Sequence, residues 1–234
     1  SSLTLQPGLT FNAGESRFSA AAADARQKII DEYNWTINDK GMRLGASTTP
    51  FITTWQTTTA NEDVTIPTGG GDDITDFDFE INWGDGTVET VTGDDPDPTH
   101  TYTTAGTYTV EISGVFPHLR MVTGFTDTQN QRVNAAKLQS IDQWGDIEWQ
   151  SMESAFRSAV NMTYNATDTP DLSLVKNMRL MFRQAESFNG DLSNWDVSSV
   201  TNMFLMFAGA ESFNGDLSNW DVSSVTNMDS MFNG

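Results

Sequence analysis

Residues 185–203 read AESFNGDLSNWDVSSVTNM, and residues 210–228 read the same nineteen letters again. Phe188 is matched by Phe213, Trp195 by Trp220 and Met203 by Met228, so the period is 25 residues. Recurrence at a fixed period is the mark of a repeat architecture. Earlier copies are weaker. Asp171-Leu172-Ser173-Leu174-Val175-Lys176-Asn177-Met178 aligns with Asp196–Met203, and Met178-Arg179-Leu180-Met181-Phe182 aligns with Met203-Phe204-Leu205-Met206-Phe207. A fainter unit holds Trp144-Gly145-Asp146-Ile147 and Ser151–Phe156. Copies that sharpen toward the C-terminus fit an array whose first unit is a cap.

Within one unit, Phe188, Leu192, Trp195 and Val197 are apolar positions among Gly, Asn, Asp and Ser, which suits a short strand and its turns. Val200, Met203, Met206 and Phe207 follow at spacings of three, three and one, which suits a helical or 3₁₀ turn with one buried face. One unit cannot bury its Phe, Trp and Met alone, so stacked units are expected to share a core. That core is Phe188, Leu192, Trp195, Met203, Met206 and Phe207, continued by Phe213, Leu217, Trp220 and Met228. Trp195 and Trp220 are expected to be buried at equivalent positions. The methionines, Met231 included, read as packing residues beside Phe, not as soft-metal ligands. Asn189, Asp191, Asn194 and Asp196 read as turn residues that satisfy backbone groups.

The unit SFNGDLSNWDVSSVTNM…MF resembles the BspA-type leucine-rich repeats of bacterial surface proteins, strongly over 165–234 and weakly over 135–164. That resemblance implies a right-handed leucine-rich-repeat solenoid on a secreted or surface-anchored protein, an adhesin or another binding protein.

From Ser47 to Gly114, Thr, Val, Ile and aromatics alternate between Gly/Asp clusters, the pattern of short strands. Six are expected, including Phe51–Trp55, Asp63–Pro67, Asp76–Trp83, Thr87–Val91 and Thr107–Ile112, in a small antiparallel β-sandwich. Trp83-Gly84-Asp85-Gly86, then His100-Thr101-Tyr102, then Gly106-Thr107-Tyr108-Thr109-Val110 resemble the polycystic-kidney-disease (PKD) domain. The resemblance implies an immunoglobulin-like sandwich used outside cells, with His100 as a packed or hydrogen-bonded motif residue. Asp72-Asp73 and Asp94-Asp95-Pro96-Asp97 are turn clusters. Asp94, Asp95 and Asp97 are the candidate ligands for an accessory Ca²⁺, although a solvated loop is the simpler reading and no EF-hand spacing is present.

Ser19–Tyr33 reads as the one long helix, with Ala22, Ala25, Ile29, Ile30 and Tyr33 on its apolar face. Asn34 suits the left-handed position after it, and Trp35-Thr36-Ile37 suits a strand. Asn34-Trp35-Thr36 also matches a weak glycosylation pattern. Leu5–Phe11 resembles the last strand of a BspA-type array, and the helix resembles its closing element. The expected organisation is a terminal cap of a preceding array over 1–44 (strand–helix–strand), a PKD-like sandwich over 45–118 and repeats over 119–234. The fold class is mainly β with short helices.

Composition narrows the function. The 234 residues carry 32 acids against 12 bases, a net charge of −20. Phosphate backbones and anionic membranes repel such a chain, so no nucleic acid and no membrane insertion is expected. There is no Cys and there are two His, His100 and His118, which removes thiol chemistry, zinc-thiolate sites and His-rich metal centres. No nucleophile–base pair or phosphate loop stands out, so no enzyme is expected and no cofactor beyond the accessory Ca²⁺. The expected function is an extracellular or cell-surface structural and adhesive protein, a rod that assembles head-to-tail into a fibre. Its partners would be other copies of itself or other surface proteins, and glycans. A ligand-recognition module of a larger secreted protein, for glycans or proteins, is the alternative that these residues leave open.

Overall fold

The structure, a computed structural model, describes residues 7–12, 20–38, 47–69, 77–93, 96–123 and 127–234. The chain forms two compact units, 1–46 and 47–234.

In the first unit, β1 (Thr10–Asn12), α1 (Ala20–Tyr33) and β2 (Thr36–Asn38) follow one another. β1 and β2 pair in parallel, Phe11 opposite Ile37. Asn34 takes φ 52°, the left-handed conformation that Asn tolerates after a helix. This turns the chain so that the N–H of Thr36 reaches the Leu9 carbonyl at 2.9 Å. Among the described residues β1 and β2 pair only with each other, so no coil of a preceding array is seen on them.

The second unit is built on a six-stranded sheet. Its strands are β3 (Phe51–Thr57), β5 (Phe77–Asn82), β6 (Val88–Gly93), β8 (Gly106–Val115), β9 (Leu138–Gln143) and β10 (Thr163–Tyr164), in the order β10-β9-β3-β8-β5-β6. All pairs are antiparallel except β10–β9. A separate ribbon pairs β4 (Glu62–Thr65) with β7 (Thr99–Tyr102). Strand alternation explains the core. Phe51, Thr53, Trp55 and Thr57 of β3 are buried, and the residues between them are not. Phe77, Phe79 and Ile81 of β5 and Val110 and Ile112 of β8 do the same, and Val64, Ile66 and Tyr102 of the ribbon region join the same core. Helix α2 (Gln129–Ala135) opens on a capping box in which Thr128 and Gln131 satisfy each other's backbone N–H.

This corrects the expected sandwich. The sheet is not completed within 45–118, because β3 is hydrogen-bonded on one side to β8 and on the other to β9. Among the described residues of 45–118, the strands outside this sheet are the β4–β7 ribbon alone.

The leucine-rich-repeat solenoid is also corrected. Such a unit needs a strand and a short helix, and from 165 to 234 there is neither. The backbone runs instead through successive turns. Ser154 (φ 57°), Leu180 (61°), Leu205 (54°) and Ser230 (54°) are left-handed, and so are Ser158 (63°), Gln184 (59°) and Gly209 (72°). A left-handed residue inside each helical stretch stops a helix from propagating. The N–H groups freed in this way point to the following coil. Met178, Leu180, Phe182 and Gln184 donate to the carbonyls of Asn202, Phe204, Met206 and Ala208 at 2.8–2.9 Å. Met203, Leu205, Phe207 and Gly209 repeat this on Asn227, Asp229, Met231 and Asn233. Only isolated parallel bridges result, Asn177 with Asn202 and Asn202 with Asn227. The fold is sheet-rich, with stacked turns attached to the sheet.

Candidate binding surface and buried charge network

The coils bury most of their apolar side chains, although Leu174, Val222, Met228 and Phe232 are exposed. Phe156, Phe182, Phe207 and Phe232 stack face to face at 5.5–5.6 Å, with interplanar angles of 4–13°. Phe188 and Phe213 form a second column beside it, 5.7 Å apart. Of the expected core residues, Phe188, Leu192, Trp195, Met203, Met206 and Phe207 are buried. Phe213, Leu217 and Trp220 are half-buried, and Met228 is 42% exposed. Trp195 and Trp220 therefore differ. Trp195 lies edge-on to Trp144 at 5.3 Å, inside the stack. Trp220 sits in a coil with a neighbour on one side in this chain, and its Nε1 donates to the Leu192 carbonyl at 2.9 Å.

Trp144 joins the sheet to the coils. It follows β9, stacks on Phe51 of β3 at 5.5 Å, and meets Phe156 and Trp195 edge-on. Its Nε1 donates to the Tyr164 hydroxyl at 2.8 Å. The next residue must be glycine. Gly145 has φ 65°, and a Cβ there would come within 2.1 Å of the Thr49 carbonyl oxygen. Asp146 then reaches back and accepts from Ser47 Oγ (2.6 Å) and the N–H groups of Thr48 and Thr49. Burial pushes the Asp146 carboxyl up, but these donors outweigh it and hold the group below its ordinary value.

The outer edge is polar and repeats in register. Asp191, Asp196, Asp216 and Asp221 each accept the N–H of the serine two residues on, at 2.8–3.1 Å. Those bonds hold all four carboxyls below their ordinary value. Asn177, Asn202 and Asn227 do the same for Arg179, Phe204 and Asp229. Thr226 Oγ1 donates to the Thr201 carbonyl, and Thr201 Oγ1 to the Lys176 carbonyl. The turn reading describes Asp191 and Asp196, whereas Asn189 Oδ1 accepts the Asn214 N–H of the next coil at 2.9 Å.

Sequence reading passed over a buried charge network. Half of the chain's eight arginines gather around two acids. Asp127 pairs with Arg157, which is fully buried, and lies 3.9 Å from Arg183. Glu153 accepts from Arg120 at 2.9 Å, Arg179 at 3.2 Å and Asn177 at 3.0 Å. Burial lowers the pKa of Arg157. The network ties Arg120 and Asp127 to two successive coils. A signal was present: Arg157 and Arg183 both follow the Phe of the repeated Met-x-x-Met/Ala-Phe run.

The Trp-Gly-Asp-Gly turn is held by the other motif residues. His100 Nε2 lies 2.8 Å from Asp85 Oδ2, its ring stacks on Trp83 at 5.2 Å, and the Tyr102 hydroxyl donates to the Trp83 carbonyl at 2.7 Å. Of the candidate calcium ligands, Asp94 and Asp95 lie outside the described residues. Asp97 Oδ1 accepts the N–H groups of Thr68 and Gly69, at 2.6 and 3.0 Å, and so caps a loop. Among the described residues no three His, Cys, Asp or Glu are grouped for a metal, and no helix is long and apolar enough to cross a membrane. A groove of about 300 Å³ lies between α2 and the coil corners, lined by Gln129, Arg132, Val133, Ser158, Gln184 and Glu186.

Residues 124–234 match a family described as "Mycoplasma protein of unknown function, DUF285". The match begins just before α2 and takes in β9, β10 and every coil. No curated protein and no solved structure matches the chain.

Proposed function

We propose that this chain is a structural and adhesive protein of the cell exterior, and that its working surface is the repeated polar edge of the coils. One observation carries this reading: identical exposed side chains recur in register, Asp191 with Asp216 and Asp196 with Asp221. A periodic set of donors and acceptors suits a partner that is itself periodic, such as a glycan or a second repeat protein. Weak single contacts then multiply through avidity. The test is attachment of beads coated with the 1–234 chain to an array of polysaccharides and matrix proteins. Binding should rise steeply with coating density and should fall when Asp196 and Asp221 are both replaced by Ala. No binding at any density would overturn the reading.

The alternative, a module that recognises a glycan or protein ligand, draws support from the groove beside α2, where Gln129, Arg132 and Gln184 offer hydrogen-bonding groups. Binding of monosaccharides that is independent of density and lost in Gln184→Ala would favour it.

A further inference from the structure

We propose that Asn189–Gly190 and Asn214–Gly215 are sites of spontaneous deamidation, and that the fold orders their rates, Asn214 ahead of Asn189. The chemistry is intramolecular. The backbone nitrogen of the glycine attacks Cγ of the preceding asparagine, its proton leaves to solvent, and ammonia departs from the carboxamide. Water then opens the cyclic imide at either carbonyl, giving aspartate or isoaspartate. No oxidant or enzyme is needed. Glycine favours the step because it has no side chain to hinder the attack or the backbone rotation it requires.

Three observations place this reaction here. Asn189 and Asn214 are both exposed. Neither the Gly190 nor the Gly215 N–H donates a hydrogen bond among the described residues, so the nucleophile is not withheld. Packing also keeps the glycines in place. A Cβ on Gly190 would approach Tyr164 Cγ to 2.6 Å, and one on Gly215 would approach the Gly190 carbonyl oxygen to 3.0 Å. The coils therefore carry the labile pair as a consequence of their own close stacking.

The order follows from one bond. Asn189 Oδ1 accepts the Asn214 N–H at 2.9 Å, which anchors its carboxamide away from the rotation that attack needs. The Asn214 carboxamide makes no such bond among the described residues. One hydrogen bond of ordinary strength corresponds to a rate difference of about fivefold. The products matter to the stack. Aspartate at 214 adds charge near Asp216, which already feels Asp191. Isoaspartate lengthens the backbone by one methylene in a coil whose register is fixed by bonds to its neighbour.

The experiment is incubation of the 1–234 chain in heavy-oxygen water at near-neutral pH, beside a free peptide of the sequence AESFNGDLSNW. Trypsin releases residues 184–234 in one piece, because no Lys or Arg follows Arg183. Fragment ions of that piece separate position 189 from 214, which identical shorter peptides would not. Label should enter at 214 about fivefold faster than at 189, and Asn194 and Asn219, each followed by Trp, should stay unchanged. Asn214→Gln should abolish the gain at 214 and leave that at 189. Equal or faster conversion at 189 would overturn the order. An unchanged chain beside a converted peptide would overturn the proposal.

Discussion

Asp127 is one of the two acids on which the arginines of the buried network converge, two to each. It is 9% exposed and is shared by Arg157, Arg183 and the Ser158 hydroxyl. A buried pair adds little when compared with an apolar pair, but removing one partner strands the other. Asp127→Ala removes the carboxylate that pairs with the fully buried Arg157, so it should cost about 3–5 kcal/mol. Denaturant melts of the variant and of the double variant Asp127→Ala/Arg157→Met would check this. The double variant should recover much of the loss. Glu62 gives a prediction in pH. Burial pushes its carboxyl up, but the N–H groups of Thr58 and Thr59 and the Lys137 ammonium outweigh this and bring it from 4.5 to about 2. A depressed folded pKa adds stability that is present above about pH 4.5 and lost as pH falls toward 2. Glu62→Gln should therefore be less stable at neutral pH and should show a flatter stability curve between those limits. An unchanged acid slope would refute the assignment. At this scale the sequence was legible where a motif was local. His100, which the PKD resemblance made a packed or hydrogen-bonded residue, stacks on Trp83 and lies 2.8 Å from Asp85. The repeated Arg157 and Arg183 were visible as a pattern, but their acid was not, because Asp127 and Arg120 reach Arg157 and Glu153 only through tertiary packing across 30 and 33 residues.

Among the elements, those with a strict period were readable. The strands at 51–57, 77–82 and 106–115 alternate, and α1 ends at Tyr33 with Asn34 left-handed behind it. The backbone inside each repeat was not readable. Met-x-x-Met-Phe looks helical by spacing, yet Leu180 and Leu205 adopt a left-handed conformation that leucine disfavours intrinsically. What stabilises it is non-local: the donor ladder to the next coil and the phenylalanine columns. The pairing of β3 with β9 is non-local as well, since nothing in either strand names its partner. Burial then grades the repeat energetically. Trp195→Ala should cost about 3–5 kcal/mol, the range for a fully buried large aromatic. Trp220→Ala should cost roughly half as much, because its indole keeps part of its solvent contact. Thermal melts of both variants would decide, and equal losses would show that the last coil is covered in solution.

In the second unit as a whole, the sheet and the coils share a core. Phe51 of β3, Trp144 after β9, and Phe156 and Trp195 of the coils form one aromatic chain of contacts. Adjacent elements with a common core and a common sheet unfold together. The proposed adhesive role draws on this, since a surface anchored to a continuous core transmits force without a weak joint. Native-state hydrogen exchange across a denaturant series tests that continuity most directly. Amides of Thr53 and Trp55 in β3, Val110 and Ile112 in β8, Ile141 in β9, and Ser154 and Phe156 in the first coil should merge into one opening event with one free energy, and Trp144→Ala should lower it for all of them. Protection that persists in β3 and β8 after β9 and the coils have exchanged would show two independent bodies and contradict the account.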